Sequence, residues 1–119
     1  MLLKIHPDNP QPRLIKQLAE CMLDGGIIIY PTDTIYGIGC DIFQPKAVEK
    51  ICRIKGVGSQ KAQLSFLCKD LSDLSLYTKS IDTPLYRMLK NHLPGPYTFI
   101  LPASKQVPKI LQSKKSTIG

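Results

Sequence analysis

Two threonines, an aspartate and a tyrosine fall together in Thr32-Asp33-Thr34-Ile35-Tyr36, with Gly37 and Gly39 directly after them. Hydroxyls and a phenol can orient a small polar ligand, and glycine leaves backbone N–H groups open to it. The stretch follows a strand-like run, at the carboxyl end where open α/β sheets place ligands. The same residues also suit a plain turn, with Thr and Asp bonded to local backbone and glycine supplying positive φ. Residue chemistry alone leaves both open. A phosphate loop ending in Gly-Lys-Ser/Thr and a Gly-rich dinucleotide turn are both absent, so those two mechanisms drop out.

A second cluster runs from Arg53 to Lys61, where Gly56 and Gly58 separate Lys55 from Lys61. Lysine is a strongly hydrated point charge on a long stem, able to reach a phosphate that must arrive and leave. The alternative is a solvated surface loop. Leu64 to Cys68 reads as a strand, and its period of two puts Ser65 and Leu67 on the face opposite Leu64, Phe66 and Cys68. Ser65 therefore points into a cleft or out to water. Pro94-Gly95-Pro96 makes a rigid connector that delivers Thr98 to the mouth of the next strand. His6 and His92 have no Ser or Cys partner at triad spacing and read as surface residues. The available tools are hydroxyls, lysines and a carboxylate. They suit phosphoryl or nucleotidyl chemistry run by positioning and charge neutralisation, with any metal carried in by the nucleotide.

Several elements must hold these groups. A helix is expected from Asn9-Pro10, with Leu14, Ile15, Leu18, Cys21 and Met22 at helical spacing and Gly25-Gly26 at its end. Ile27 to Tyr30 is a β-branched run apolar on both faces, which predicts a central buried strand. Gln44-Pro45 opens a second helix whose Ala47, Val48, Ile51, Cys52 and Ile54 face inward, and Gly56 closes it. Asp70 to Tyr77 is a short helix, and Asp82 or Thr83 caps another with Leu85, Met88, Leu89 and Leu93 inward. Tyr97 to Leu101 reads as a strand, Pro108 to Gln112 as a short helix, and Thr117-Ile118 as a strand just beginning. Strands alternating with helices predict an α/β sheet with helices packed against it. The chain stops where its last strand starts, so residues 1–119 are read as the N-terminal portion of one domain whose C-terminal part is missing.

Composition narrows the partners. Sixteen Lys and Arg against nine Asp and Glu give a formal net charge of +7. Asp82 is the last acid in the chain, and Lys46, Lys50, Arg53, Lys55, Lys61 and Lys69 meet the single acid Glu49. Such a field favours anionic partners, although it also serves simply as a solvated surface. Cys21, Cys40, Cys52 and Cys68 lie 19, 12 and 16 residues apart, with no close pair for zinc or redox chemistry. With no secretory leader and no run approaching the roughly 20 apolar residues of a membrane span, the expected setting is cytoplasmic with reduced thiols.

Taken together the segments resemble the YrdC/YciO family, most nearly its YciO-type branch. The matching stretches are Ile5-His6-Pro7-Asp8-Asn9-Pro10, Gly25-Gly26 through Cys40, Glu49-Lys50-Ile51-Cys52-Arg53-Ile54-Lys55, Leu67-Cys68-Lys69-Asp70-Leu71-Ser72, Pro94 through Leu101, and Thr117-Ile118-Gly119. The resemblance implies an open twisted mixed sheet with flanking helices and a concave basic face. It also implies double-stranded RNA or tRNA as a partner. The related synthases join threonine, bicarbonate and ATP, carried with Mg2+, into threonylcarbamoyladenylate for modification of tRNA. Carried over by motif, Thr32, Thr34 and Tyr36 line the threonine and bicarbonate end, Lys55 and Lys61 hold phosphates, and Ser65 and Thr98 line the cleft. No covalently bound cofactor and no protein-held metal are implied.

Two departures stand out. The family's basic loop reads Lys-any-Arg, whereas Lys55-Gly56 is followed here by Val57. That loses a planar bidentate donor worth roughly 1.5–3 kcal/mol, or about 10- to 150-fold in affinity. The family's Ser-any-Asn motif falls beyond Gly119. Three functions therefore compete: a nucleotidyltransferase-type synthase or a relative acting on a similar adenylate, a non-catalytic double-stranded RNA-binding module, and a basic domain without ligand.

Overall fold

The computed structural model describes residues 1–58, 62–112 and 116–119. In chain order it holds α1 (Pro12–Leu23), β1 (Ile27–Pro31), β2 (Tyr36–Cys40), α2 (Pro45–Ile54), α3 (Leu71–Tyr77), α4 (Thr83–His92), β3 (Leu101–Pro102), a 3-10 turn at Lys109–Leu111 and β4 (Thr117–Ile118). The mixed α/β class is as expected.

Helix α1 begins two residues later than Asn9-Pro10 suggests, with Gln11 at the cap position. The His6 ring takes the backbone N–H groups of Asp8 and Asn9 on Nδ1, at 3.3 and 3.1 Å. Asn9 thus belongs to the preceding turn, and Pro12 becomes the first helical residue. Both long N-terminal helices close alike. Gly26 N donates to Cys21 O and Gly25 N to Met22 O around a left-handed Gly25, φ 81°. Val57 N donates to Cys52 O and Gly56 N to Arg53 O around Gly56, φ 67°. This paired closure satisfies the last carbonyls and favours glycine at its left-handed pivot. On α2 the inward stripe Ala47, Val48, Ile51 and Cys52 is buried as its spacing predicts, but Ile54 is 60% exposed at the helix end.

Of the two residues read as capping α4, Asp82 is the cap, and Asp70, read as the first residue of α3, caps that helix. Asp70 accepts from Asp73 N at 2.8 Å, and Asp82 accepts from Leu85 N at 2.9 Å. Leu89 of α4 is fully buried, while Met88 stays 42% exposed.

The strands depart from expectation. β1 pairs antiparallel with β2 in the register Ile27↔Cys40 to Pro31↔Tyr36, so residues 32–35 are the tip of a hairpin. β1 is not a central strand buried on both faces: Ile29 is 73% and Tyr36 74% exposed, on the face they share with Pro31. β3 pairs antiparallel with β4, and Thr78 bridges to Ala103 on the other side. Ala103, Val107 and Ile118 form the core beneath this second ladder, with Phe66, Tyr77 and Leu111 packed on it. Residues 64–68 and 97–100 run without ladder pairing, apart from the bond of Phe66 N to Gly119 O at 2.8 Å. A strand exists only where a partner lies alongside, and local β-propensity does not supply one. No helix among the described residues is long and apolar enough to cross a membrane.

Candidate functional site

The hairpin tip is organised around one hydroxyl. Thr32 Oγ1 accepts from Thr34 N at 3.2 Å and Ile35 N at 3.1 Å, donates to Ile35 O, and lies 3.2 Å from Thr34 Oγ1. Thr32 N closes the same loop on Ile35 O at 3.2 Å. Thr32 therefore spends its hydrogen-bonding capacity on the turn. Thr34 and Tyr36 are exposed beside it.

Two hollows lie elsewhere. One, of about 550 Å3, is bordered by Lys55, Ser65, Tyr30, Ile28, Val48 and Ile51 among others. Its floor is the apolar stripe of α2, and Lys55 stands at its edge because the turn at Gly56 fixes the end of that helix. The other hollow, of about 560 Å3, is bordered by Ser65, Thr98, Tyr30, Leu93, Tyr97 and Phe99 among others. Ser65 and Thr98 converge on Gly119: a Cβ there would sit 3.0 Å from Thr98 Cγ2 and 3.3 Å from Ser65 Oγ.

Of the residues singled out in the sequence, Lys55 and Ser65 share one hollow, and Ser65 and Thr98 share the other. Thr32, Thr34 and Tyr36 border neither among the described residues. Lys61 lies outside the described residues. The first hollow joins a cation, a hydroxyl and a phenol over an apolar floor, a donor set suited to an anion with an uncharged body. Among the described residues no carboxylate borders it, so a divalent ion there would arrive on the ligand's own phosphates. Among the described residues no group of three or more His, Cys, Asp and Glu is placed to hold a metal.

Cys40 borders the first hollow and Cys68 the second, and both thiols are pushed above the ordinary value. Burial is the main cause in each. Asp41 and then Cys52 add to it at Cys40, and Asp73 and then Asp70 at Cys68. A thiol held protonated is a poor nucleophile, so neither is prepared for covalent catalysis.

Tyr30 is the site residue that sequence reading passes over. It borders both hollows, and its ring covers Gly37 and Gly39 of β2. The available signal was the two-residue spacing of those glycines, which is the strand period rather than a turn pattern.

Known proteins resemble this arrangement. Residues 20–119 match the Sua5/YciO/YrdC family model, whose description reads "Telomere recombination". YciO of Escherichia coli (strain K12) is 48% identical over 116 residues, which cover 97% of the chain and 55% of YciO. The crystal structure of E. coli YciO superposes with a TM-score of 0.85 at 47% identity, over 96% of the chain and 55% of that structure. The threonylcarbamoyl-AMP synthase of Chromobacterium violaceum is 32% identical over 113 residues, 95% of the chain and 58% of the synthase. P. abyssi Sua5 complexed with L-threonine superposes with a TM-score of 0.82 at 26% identity, over 92% of the chain and 32% of Sua5. The chain spans about half the length of YciO and of the synthase. With 100 of its residues on the family model and its folded course shared with YciO and Sua5, the chain belongs to the Sua5/YciO/YrdC family.

Proposed function

We propose that this chain carries part of the nucleotide pocket of a cytoplasmic protein that forms threonylcarbamoyl-AMP, or a closely similar adenylate, for tRNA modification. The observation that carries the reading is the shared hollow of Lys55 and Ser65 in a chain of this family. Support also comes from a relative that is a threonylcarbamoyl-AMP synthase and from a structural neighbour complexed with L-threonine. ATP enters with Mg2+, and the Lys55 ammonium neutralises phosphate charge while the neighbouring Ser65 hydroxyl orients the ligand. Threonine and bicarbonate are the co-substrates, with Thr34, Tyr36 and Thr98 as their candidate contacts and Lys61 as a second phosphate ligand. The threonine amine attacks the bicarbonate carbon and water leaves, giving the carbamate; attack of the carbamate oxygen on the α-phosphorus then forms the new P–O bond, and pyrophosphate leaves.

The test is direct. Protein incubated with ATP, Mg2+, threonine and bicarbonate should release pyrophosphate, and calorimetry should show Mg-ATP binding. Lys55→Ala should weaken that binding about tenfold, the loss of one charge-assisted contact. Equal binding by both proteins, with no pyrophosphate from either, sinks the reading.

A second reading, duplex RNA binding without catalysis, is favoured by the outer face of α2. Lys46, Lys50 and Arg53 are all exposed there. Among the described residues the one ion pair is Lys16–Glu20, on α1. Phosphate contacts predict duplex RNA affinity that falls steeply with salt. A flat salt response rejects it.

A further inference from the structure

The pairing register puts Tyr30 opposite Gly37, so the two face the same side of the hairpin, with Gly39 next on that side. A Cβ on Gly37 would lie 3.0 Å from Tyr30 Cζ and 3.2 Å from the phenol oxygen, and one on Gly39 would lie 3.1 Å from Cε1. The ring thus lies along β2, on ground that any side chain would occupy. Gly25 and Gly56 are the described glycines with positive φ, so at Gly37 and Gly39 glycine provides room rather than unusual backbone geometry.

The position of that ring matters beyond the hairpin. Tyr30, Ser65, Phe66 and Leu67 are the residues that border both hollows. Ser65 to Leu67 is one continuous strip of chain, and among the described residues Tyr30 is the sole contributor from the hairpin side. Lys55 borders only the first hollow, and Leu93, Tyr97, Thr98 and Phe99 border only the second. The ground shared by the two hollows is the Tyr30 ring on one side and the Ser65–Leu67 strip on the other, so a ligand reaching from Lys55 toward Thr98 would meet that ring.

We infer that Tyr30 is a specificity-determining positioning residue, a partition seated on Gly37 and Gly39 that sets how far a ligand anchored at Lys55 extends into the second hollow. Its application to nucleotides rests on the function proposed above, but the partition itself does not. Displacing the ring narrows the passage, and removing the ring opens it. Gly39→Ala therefore acts on ligand binding through Tyr30, and its effect disappears when Tyr30 is truncated.

The experiment is a double-mutant cycle read first without nucleotide. Anilinonaphthalenesulfonate, which joins a sulfonate to an apolar aromatic body, is titrated into the native chain, Tyr30→Phe, Tyr30→Ala, Gly39→Ala and Tyr30→Ala/Gly39→Ala. Gly39→Ala is expected to weaken probe binding about fivefold in the native background and to leave it unchanged in the Tyr30→Ala background. Tyr30→Phe keeps the ring, so the fivefold effect of Gly39→Ala should persist when it is added to Tyr30→Phe, whatever the lost hydroxyl does to affinity. Equal effects of Gly39→Ala in both backgrounds overturn the partition. Should Gly39→Ala fail to fold, the ring is read directly by NMR of the native chain and Tyr30→Leu. The α-protons of Gly37 and Gly39 should be shifted upfield by the ring and return to ordinary positions in Tyr30→Leu; their absence from the shifted region in the native chain also overturns it. Repeating the cycle with Mg-ATP separates the two proposals. Loss of nucleotide binding alone defeats the proposed function, whereas nucleotide binding without Tyr30–Gly39 coupling defeats the partition.

Discussion

The side-chain amide of Gln44 donates to the backbone carbonyl of Leu23 at 2.6 Å, joining the last residue of α1 to the residue that opens α2. The bond spans 21 residues and closes the base of the segment that holds the β1–β2 hairpin. The carbonyl it occupies is one of the four a helix end leaves without an internal partner. Gln44→Ala should lower stability by about 1 kcal/mol through loss of that bond. Urea unfolding checks this: the midpoint should fall with the slope unchanged, and an unmoved midpoint would show the bond to be incidental.

Gly56 is the pivot that ends α2 and sets Lys55 at the edge of its hollow. Nothing lies within 4 Å of where its Cβ would be, so an added methyl meets no clash. Its cost is confined to the left-handed backbone. Gly56→Ala should destabilise by about 1 kcal/mol and Gly56→Asn by less, because Asn tolerates that region better. The same denaturation midpoints decide it.

Thr32 holds the hairpin tip through its oxygen. Thr32→Val keeps the shape but leaves Thr34 N and Ile35 N without their acceptor, whereas Thr32→Ser retains it. Amide exchange at residues 34 and 35 should quicken in the valine variant, consistent with a bond worth about 1 kcal/mol, and stay near native in the serine variant. Equal exchange in both would remove Thr32 from its organising role.

The thiols give a pH-dependent prediction. Cys68 is held protonated mainly by burial, with Asp73 and Asp70 adding to it. At a given pH less thiolate is present than in an ordinary cysteine, so alkylation should be slow beside that of the exposed Cys21. Asp73→Asn removes one of the negative charges, which lowers the Cys68 value and should speed its alkylation. Because the folded value lies above the unfolded one, the unfolded chain loses this proton first as pH rises. The associated stability is intact below the ordinary thiol range and declines through the alkaline range up to the folded value. Mass spectrometry of iodoacetamide-treated protein against pH measures the order of reaction.

The family resemblance implies an arginine at the place Val57 takes in the Lys55-Gly56-Val57 loop. Val57→Arg would place a guanidinium two residues from Lys55 and should tighten Mg-ATP binding about tenfold, more strongly at low salt. Calorimetry at two salt concentrations reads both parts of the expectation.

The helices were legible in the sequence because their punctuation is local. Asp70 and Asp82 cap what they precede, and Gly25 and Gly56 stop what they follow, each through bonds within one turn. The start of α1 was less so, since the side chain that claims Asn9 is a histidine three residues earlier. Strands fared worst. Tyr36–Cys40 reads as loop because Gly37 and Gly39 look like turn residues, whereas their purpose is to admit the ring of Tyr30. Residues 64–68 and 97–100 have strand composition, yet pairing depends on what lies beside them, which composition does not encode. The site followed the same division. Lys55 and Ser65 were singled out by residue type and share a hollow, but the meeting of Ser65 with Thr98 at Gly119 is a product of tertiary placement.

The open face of the hairpin has a consequence for handling the protein. Ile29 and Tyr36 present an oily side to water, and a chain carrying +7 keeps its copies apart by mutual repulsion. Added salt shortens the reach of that repulsion while leaving the oily side untouched. Concentrated samples should therefore stay clear in dilute buffer and turn cloudy as ionic strength climbs, the reverse of ordinary salting-in.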